Sequence, residues 1–237
     1  MKVIGMLGYT EKIDFIMNLV KTLDYMGKTV LVIDATNDKK YKYIIPSITE
    51  TEKQYITQFD KVDYAVGFES MPDIENFMTS EKINISLYDY IILDIDNAKT
   101  YEFFRTRPFD KTYLFEDTSI LSLKKNKEII NTIKIYNTDN TTLNMTRVLY
   151  RGYLLRSSEN YFERALSEVG AVFNEKQFEI VEEEQDRMIT LDNQLSSIIQ
   201  VKKHTNMFID TLSSIAADIL EDEIKKDIIK AIKRGKF

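Results

Sequence analysis

Cysteine and tryptophan are absent from this chain of 237 residues, histidine occurs once and proline only three times. Without thiols there is no disulfide framework, no thiolate metal site and no cysteine nucleophile. The lone histidine, His204, sits in the polar stretch Lys202-Lys203-His204-Thr205. It reads as a solvated loop residue, and a zinc site or a Ser-His-Asp triad would have to rest on it alone. No apolar span approaches the roughly 18 residues that cross a bilayer, and the apolar run at Met1–Gly8 is too short for a signal peptide. A cytoplasmic protein is therefore expected. The net charge of −6 argues against general nucleic-acid binding.

Hydrophobic residues make up 43% of the chain and charged residues 30%, with 14 Tyr and 13 Phe, so a full core is within reach. No Pro/Gly/Ser-rich linker interrupts the sequence, which favours one domain, 1–221, followed by a helix over 222–237. Short runs rich in Val, Ile, Leu and Tyr predict strands over Val3–Leu7, Thr29–Asp34, Asp63–Val66, Tyr90–Asp94, Thr112–Phe115, Arg147–Leu154 and Gln177–Val181. Amphipathic stretches predict helices over Thr10–Met26, Pro72–Thr79, Thr118–Thr132, Glu159–Val169, Arg187–Ile199 and Met207–Leu220. In the first of these, Ile13, Ile16, Met17, Val20 and Leu23 recur at helical spacing, Thr10 is placed to cap the start and Gly27 to end it. Tyr136–Thr142 reads as a polar surface loop. Strands alternating with helices predict an α/β fold, a mostly parallel twisted sheet with helices on both faces. Ligands then bind beyond the carboxyl ends of the strands.

Three segments occupy that position: Gly8-Tyr9-Thr10-Glu11-Lys12-Ile13 after the first strand, Asp34-Ala35-Thr36 after the second, and Leu93-Asp94-Ile95-Asp96-Asn97 after a later one. In order and spacing they resemble the deviant Walker A loop, the following acidic strand end and the Walker B strand of the MinD/ParA group of the SIMIBI class of P-loop ATPases, which also includes the TadZ/CpaE pilus-positioning proteins. Val148-Leu149-Tyr150-Arg151 and Phe178-Glu179-Ile180-Val181 extend the resemblance over most of the chain. It implies ATP and Mg²⁺ as ligands, with Gly8, Lys12, Tyr150 and Arg151 on the nucleotide and Asp34 and Asp94 as catalytic acids. It implies no further metal.

A phosphate-binding loop works through close backbone N–H groups, a lysine and a hydroxyl for the metal. When Lys12 is aligned with the family's lysine, Glu11 stands where the family has glycine and Ile13 where it has Ser or Thr. Tyr9 replaces a second glycine, and Met6 or Leu7 falls where the family's extra lysine belongs. Tyr150 takes the place of an adenine-reading Asn, and Val181 that of a proline. A carboxylate beside phosphates costs on the order of a few kcal/mol when partly desolvated. The loop is therefore read as degenerate. Asp34 and Asp94 have a second reading, as caps for the loops that follow them.

Near the end of the chain, Ile224, Ile228 and Ile232 fall on one helical line among Lys225, Lys226, Lys230, Lys233 and Arg234. Such a basic amphipathic helix resembles the membrane-targeting end of MinD; it can also bind a partner or pack on its own domain. Glu182-Glu183-Glu184 read as a solvated face. The expected function is a degenerate MinD/ParA-like protein acting as a homodimeric scaffold that positions or assembles a larger complex in pilus, secretion, division or partition systems, with protein partners and weak peripheral membrane association. The alternative is an atypical ATPase using Lys12, Asp34 and Asp94.

Overall fold

The computed structural model describes residues 1–45, 53–136, 144–150, 159–181 and 183–235, leaving aside the side chains of 135, 136 and 159–163. Its strands are β1 (Lys2–Leu7), β2 (Val30–Ala35), β3 (Tyr55–Phe59), β4 (Val62–Val66), β5 (Tyr90–Ile95), β6 (Lys111–Glu116), β7 (Asn144–Tyr150) and β8 (Val172–Ile180). Its helices are α1 (Ile13–Tyr25), α2 (Met71–Ser80), α3 (Ala98–Phe104), α4 (Ile120–Tyr136), α5 (Glu159–Glu168), α6 (Glu184–Ser196), α7 (Asn206–Leu220) and α8 (Lys225–Arg234). Among the described residues one sheet forms in the order β3-β4-β2-β5-β1-β6-β7-β8. Every neighbour pair is parallel except β3 with β4.

The two-residue period of the central strands builds two cores. Ile4, Met6, Val30, Val32 and Ile92 face α1, α7 and α8. Val3, Leu31, Ile33, Ile91 and Leu93 face the layer of α2, α3 and α4. Both faces are covered, which is why these strands carry nearly unbroken apolar runs.

Several boundaries depart from the sequence reading. β3 and α3 were not expected. β3 is a short antiparallel edge strand whose central residues are only partly covered, and α3 spans two turns, started by Asn97 accepting from the Thr100 N–H. β8 begins five residues earlier than predicted because its first half, largely exposed at the sheet edge, carries little apolar signal. α6 starts earlier, at Glu184, and stops at Ser196, since Ser197 takes a left-handed conformation. Residues 151–154 of the sixth predicted strand and 137–142 of the predicted loop lie outside the described residues; Tyr136 ends α4. Gly27, at φ +73°, turns the chain after α1 as expected.

His204 is not solvated. The turn Val201–Lys203 leaves Lys202 and Lys203 outside and directs His204 inward, where it is buried, with Nδ1 3.1 Å from Asp186 Oδ1. Its ring stacks on Phe208 at 4.4 Å between centroids.

Candidate functional site

The carboxyl ends of β1, β2, β5 and β6 surround a cleft of about 630 Å³ whose lining includes Tyr9, Glu11, Lys40, Asp96, Asp117 and Lys125. The loop after β1 forms one wall. Gly8, at φ +132°, is required there, because a Cβ would lie 2.2 Å from the Phe115 carbonyl oxygen. α4 fixes this loop from outside. The Tyr9 N–H donates to Asn126 Oδ1 at 2.9 Å, while Asn126 Nδ2 donates to the Phe115 carbonyl.

Thr10 does not cap α1. Its hydroxyl lies 3.1 Å from Asp117 Oδ2 and 2.9 Å from Ser122 Oγ, committed to the α4 side. Glu11 serves the helix start instead: its Oε1 accepts from the N–H groups of Lys12 at 3.0 Å and Ile13 at 3.1 Å. A carboxylate is favoured there by the exposed N–H groups and the positive end of the helix dipole. Glu11 Oε2 is 3.2 Å from Lys40 Nζ, and Lys40 is also 3.0 Å from Asp96 Oδ2. Burial works against the Lys40 charge, but these two carboxylates outweigh it and raise its pKa above the ordinary lysine value.

Lys12 turns inward. Its ammonium is 2.7 Å from Asp94 Oδ1 and donates to the Gly8 carbonyl at 2.8 Å, and both charged side chains are 1% exposed. Asp94 also accepts from the Tyr41 hydroxyl at 3.2 Å. Burial pushes its carboxyl above the usual range in spite of Lys12. Asp34 lies beside Asp94 in the β2–β5 register. It accepts from the Thr36 N–H and hydroxyl and from the Tyr41 N–H, so it organises the chain that follows β2. Burial, reinforced by Asp94, pushes it up to about 6. Burial also opposes ionisation of Asp96, but Asn97, the Asn37 N–H and Lys40 together hold that carboxyl below the usual range.

Gly8, Lys12, Asp34 and Asp94 are brought together at the strand ends, although none of the four lines the cleft itself. Tyr150 does not line the cleft: its ring is buried in the core against Phe15 and Phe115. Arg151 lies outside the described residues. Ile228 and Ile232 are buried in the core shared with α1 and α7, whereas Ile224 and the lysines Lys226 and Lys230 are on the surface. Lys40, Asp96, Asp117 and Asn126 were missed. Asp96 was visible only as a departure from the Walker B pattern; the other three belong to segments with no motif.

Among the described residues no group of three His, Asp or Glu side chains is placed to hold a metal ion. Residues Lys12 and Ile13 do not fit Mg-ATP as arranged: the N–H groups already have an acceptor in Glu11, Lys12 is held by Asp94, and Ile13 has no oxygen for a metal. Among the described residues no helix is long and apolar enough to cross a membrane.

No protein-family model and no curated protein sequence matches the chain. Solved structures do. The MinC:MinD cell division complex of Aquifex aeolicus is similar with a TM-score of 0.63 at 15% identity, over 94% of this chain and 98% of that one. The ATP complex of McdA from Cyanothece gives a TM-score of 0.59 at 11% identity, over 93% and 96%. A ParA family ATPase from Chlorobium tepidum TLS gives 0.54 at 14% identity, over 98% and 97%. With its parallel order, its loop into α1 and its acidic strand ends, the chain has the fold of the MinD/ParA-like P-loop proteins.

Proposed function

We propose that this is a MinD/ParA-fold protein with a degenerate phosphate loop, acting as a dimerising scaffold that positions or assembles a larger complex instead of turning over ATP. The observation that carries the reading is the placement of Glu11. Its carboxylate takes the two helix-start N–H groups that a phosphate would need, and Lys40 holds it there. The remaining cation of the loop, Lys12, is neutralised by Asp94. A nucleotide would have to break both arrangements and bring its phosphates among Glu11, Asp96 and Asp117. Support for self-association comes from exposed Tyr9, Tyr43, Ile120 and Leu121, which follow β1, β2 and β6 on the cleft side.

The atypical-ATPase reading is favoured by one observation, the retained meeting of Lys12, Asp34 and Asp94 at the strand ends. Titration of the purified protein with Mg-ATP separates the two. The scaffold reading expects no saturable binding below the millimolar range and the same dimer in sedimentation with or without ATP. Micromolar binding lost in Lys12→Ala, with hydrolysis lost in Asp94→Ala, would establish the ATPase; a monomer under both conditions would remove the dimeric scaffold.

A further inference from the structure

α6 has its polarity reversed. Of its buried residues only Ile189 is apolar; Asp186, Thr190 and Asn193 are polar. The helix is held to the domain largely by hydrogen bonds: Asp186 accepts from the Thr205 N–H and hydroxyl, Asn193 Oδ1 from the Gln200 N–H, and Gln194 donates to Asp14 at 2.7 Å. Its outer face carries Met188, Leu191 and Leu195, exposed by 61%, 52% and 87%. A surface helix normally shows the opposite arrangement, so this outward seam has a partner's signature.

The seam has the i, i+3, i+7 spacing of a helix–helix contact and is about 10 Å long. Beside it runs a groove of about 480 Å³ lined by Glu184, Gln185, Met188, Ile189, Asp192 and Lys203. Three side chains fall well short of the roughly 800 Å² per partner of a stable domain interface, which argues against a second copy of this chain as occupant. They suit one amphipathic helix laid in a groove. Glu184 and Asp192 bracket Met188 about two turns apart along the groove and outnumber its one cation, Lys203, so positive groups are favoured beside the apolar face of whatever lies there.

We infer that α6 is the docking site for an amphipathic helix of a partner protein, with Leu-type residues on Met188, Leu191 and Leu195 and Lys or Arg residues against Glu184 and Asp192. The groove shares no lining residue with the cleft. The probe is a synthetic helical peptide of about five turns with a Leu seam at i, i+3, i+7 flanked by Lys, followed by amide chemical shifts of the full chain. Expected are saturable shifts confined to residues 184–203, binding at least about tenfold weaker for Leu191→Glu and Leu195→Glu, and similar weakening when Glu replaces Lys in the peptide. Both substituted positions are exposed, so unchanged thermal unfolding checks that the variants fold. Equal binding by the Glu peptide or by a scrambled peptide of the same composition, shifts elsewhere on the chain, or no binding would overturn the inference. So would a native dimer that Leu195→Glu dissociates in sedimentation, since the seam would then belong to a second copy.

Discussion

Lys12 Nζ lies 2.7 Å from Asp94 Oδ1, with both side chains shut off from solvent. Such a pair is costly to break from one side, because the remaining charge stays buried without its counterion. Lys12→Met alone is expected to lower unfolding stability by roughly 3–5 kcal/mol, and Asp94→Leu by a similar amount. The double variant, which removes both charges, should recover most of the loss. Urea denaturation of the three proteins checks this; additive losses in the double variant would mean that the pair is not energetically coupled.

Glu11 supplies a second prediction. Glu11→Gly combined with Ile13→Thr frees the N–H groups of residues 12 and 13 and adds a hydroxyl at the helix start. Mg-ATP affinity measured by calorimetry should rise at least about tenfold, equivalent to about 1.4 kcal/mol. Glu11→Gly alone should give part of the gain. An unchanged affinity would show that Glu11 is not what closes the site.

Asp34 predicts a pH dependence. Burial first, and then Asp94, raise its carboxyl to about 6, against hydrogen bonds from Thr36 and Tyr41 that pull the other way. In the unfolded chain the group ionises near the ordinary value of about 4, so between roughly pH 4 and 6 the native state holds a proton that the unfolded state has lost. The Asp34 contribution is thus fully present below about pH 4 and is lost as pH rises through about 6, by up to roughly 3 kcal/mol. Asp94, also raised by burial, acts in the same sense. Asp34→Asn should flatten this part of the stability curve relative to the parent. Urea midpoints at steps between roughly pH 4 and 7 provide the measurement, and parallel curves would contradict the assignment.

The central strands were legible because burial on both faces writes itself as runs such as Val30-Leu31-Val32-Ile33. Legibility failed where burial is partial. Tyr55–Phe59 pairs on one side only, in a tight hairpin with Val62–Val66, and Val172–Ile180 pairs on one side only with Asn144–Tyr150, so neither edge segment is buried enough to carry an unbroken apolar run. At the site, Gly8, Lys12, Asp34 and Asp94 were readable from the order of strand ends. The behaviour of Glu11 was not: its charge signalled conflict with phosphate, while its folding back onto its own helix start depends on local backbone geometry. Lys40 needed the tertiary approach of Glu11 and Asp96 to acquire meaning. His204 was misread for the same reason. Its sequence neighbours are exposed lysines, whereas the partner that stabilises it inside, Asp186, arrives from the start of α6.

The last prediction concerns α8, whose basic amphipathic pattern admits either a packing helix or a membrane-surface helix. Its apolar line is divided: Ile228 and Ile232 are 0% exposed, while Ile224 is 65% exposed. α8 packs on α7 and α1, and Lys225 reaches across to Asp210 at 2.6 Å. Truncating a buried isoleucine removes apolar contact and leaves a cavity, so Ile228→Ala and Ile232→Ala should each cost about 2–5 kcal/mol, whereas Ile224→Ala should change stability by less than about 0.5 kcal/mol. Thermal or urea unfolding of the three variants measures this difference. If the helix leaves the domain to lie at an anionic surface, the same buried positions must become available to lipid, and vesicles of anionic composition should then sediment the intact protein in a salt-sensitive way. With Ile228 and Ile232 already buried on the protein side, the face left for lipid is reduced to Ile224 and the lysines. The expected outcome is therefore a large stability loss at Ile228 and Ile232 and no salt-sensitive vesicle binding by the intact chain; binding abolished by deleting residues 223–237, with unfolding unaltered, would reverse the assignment of this face.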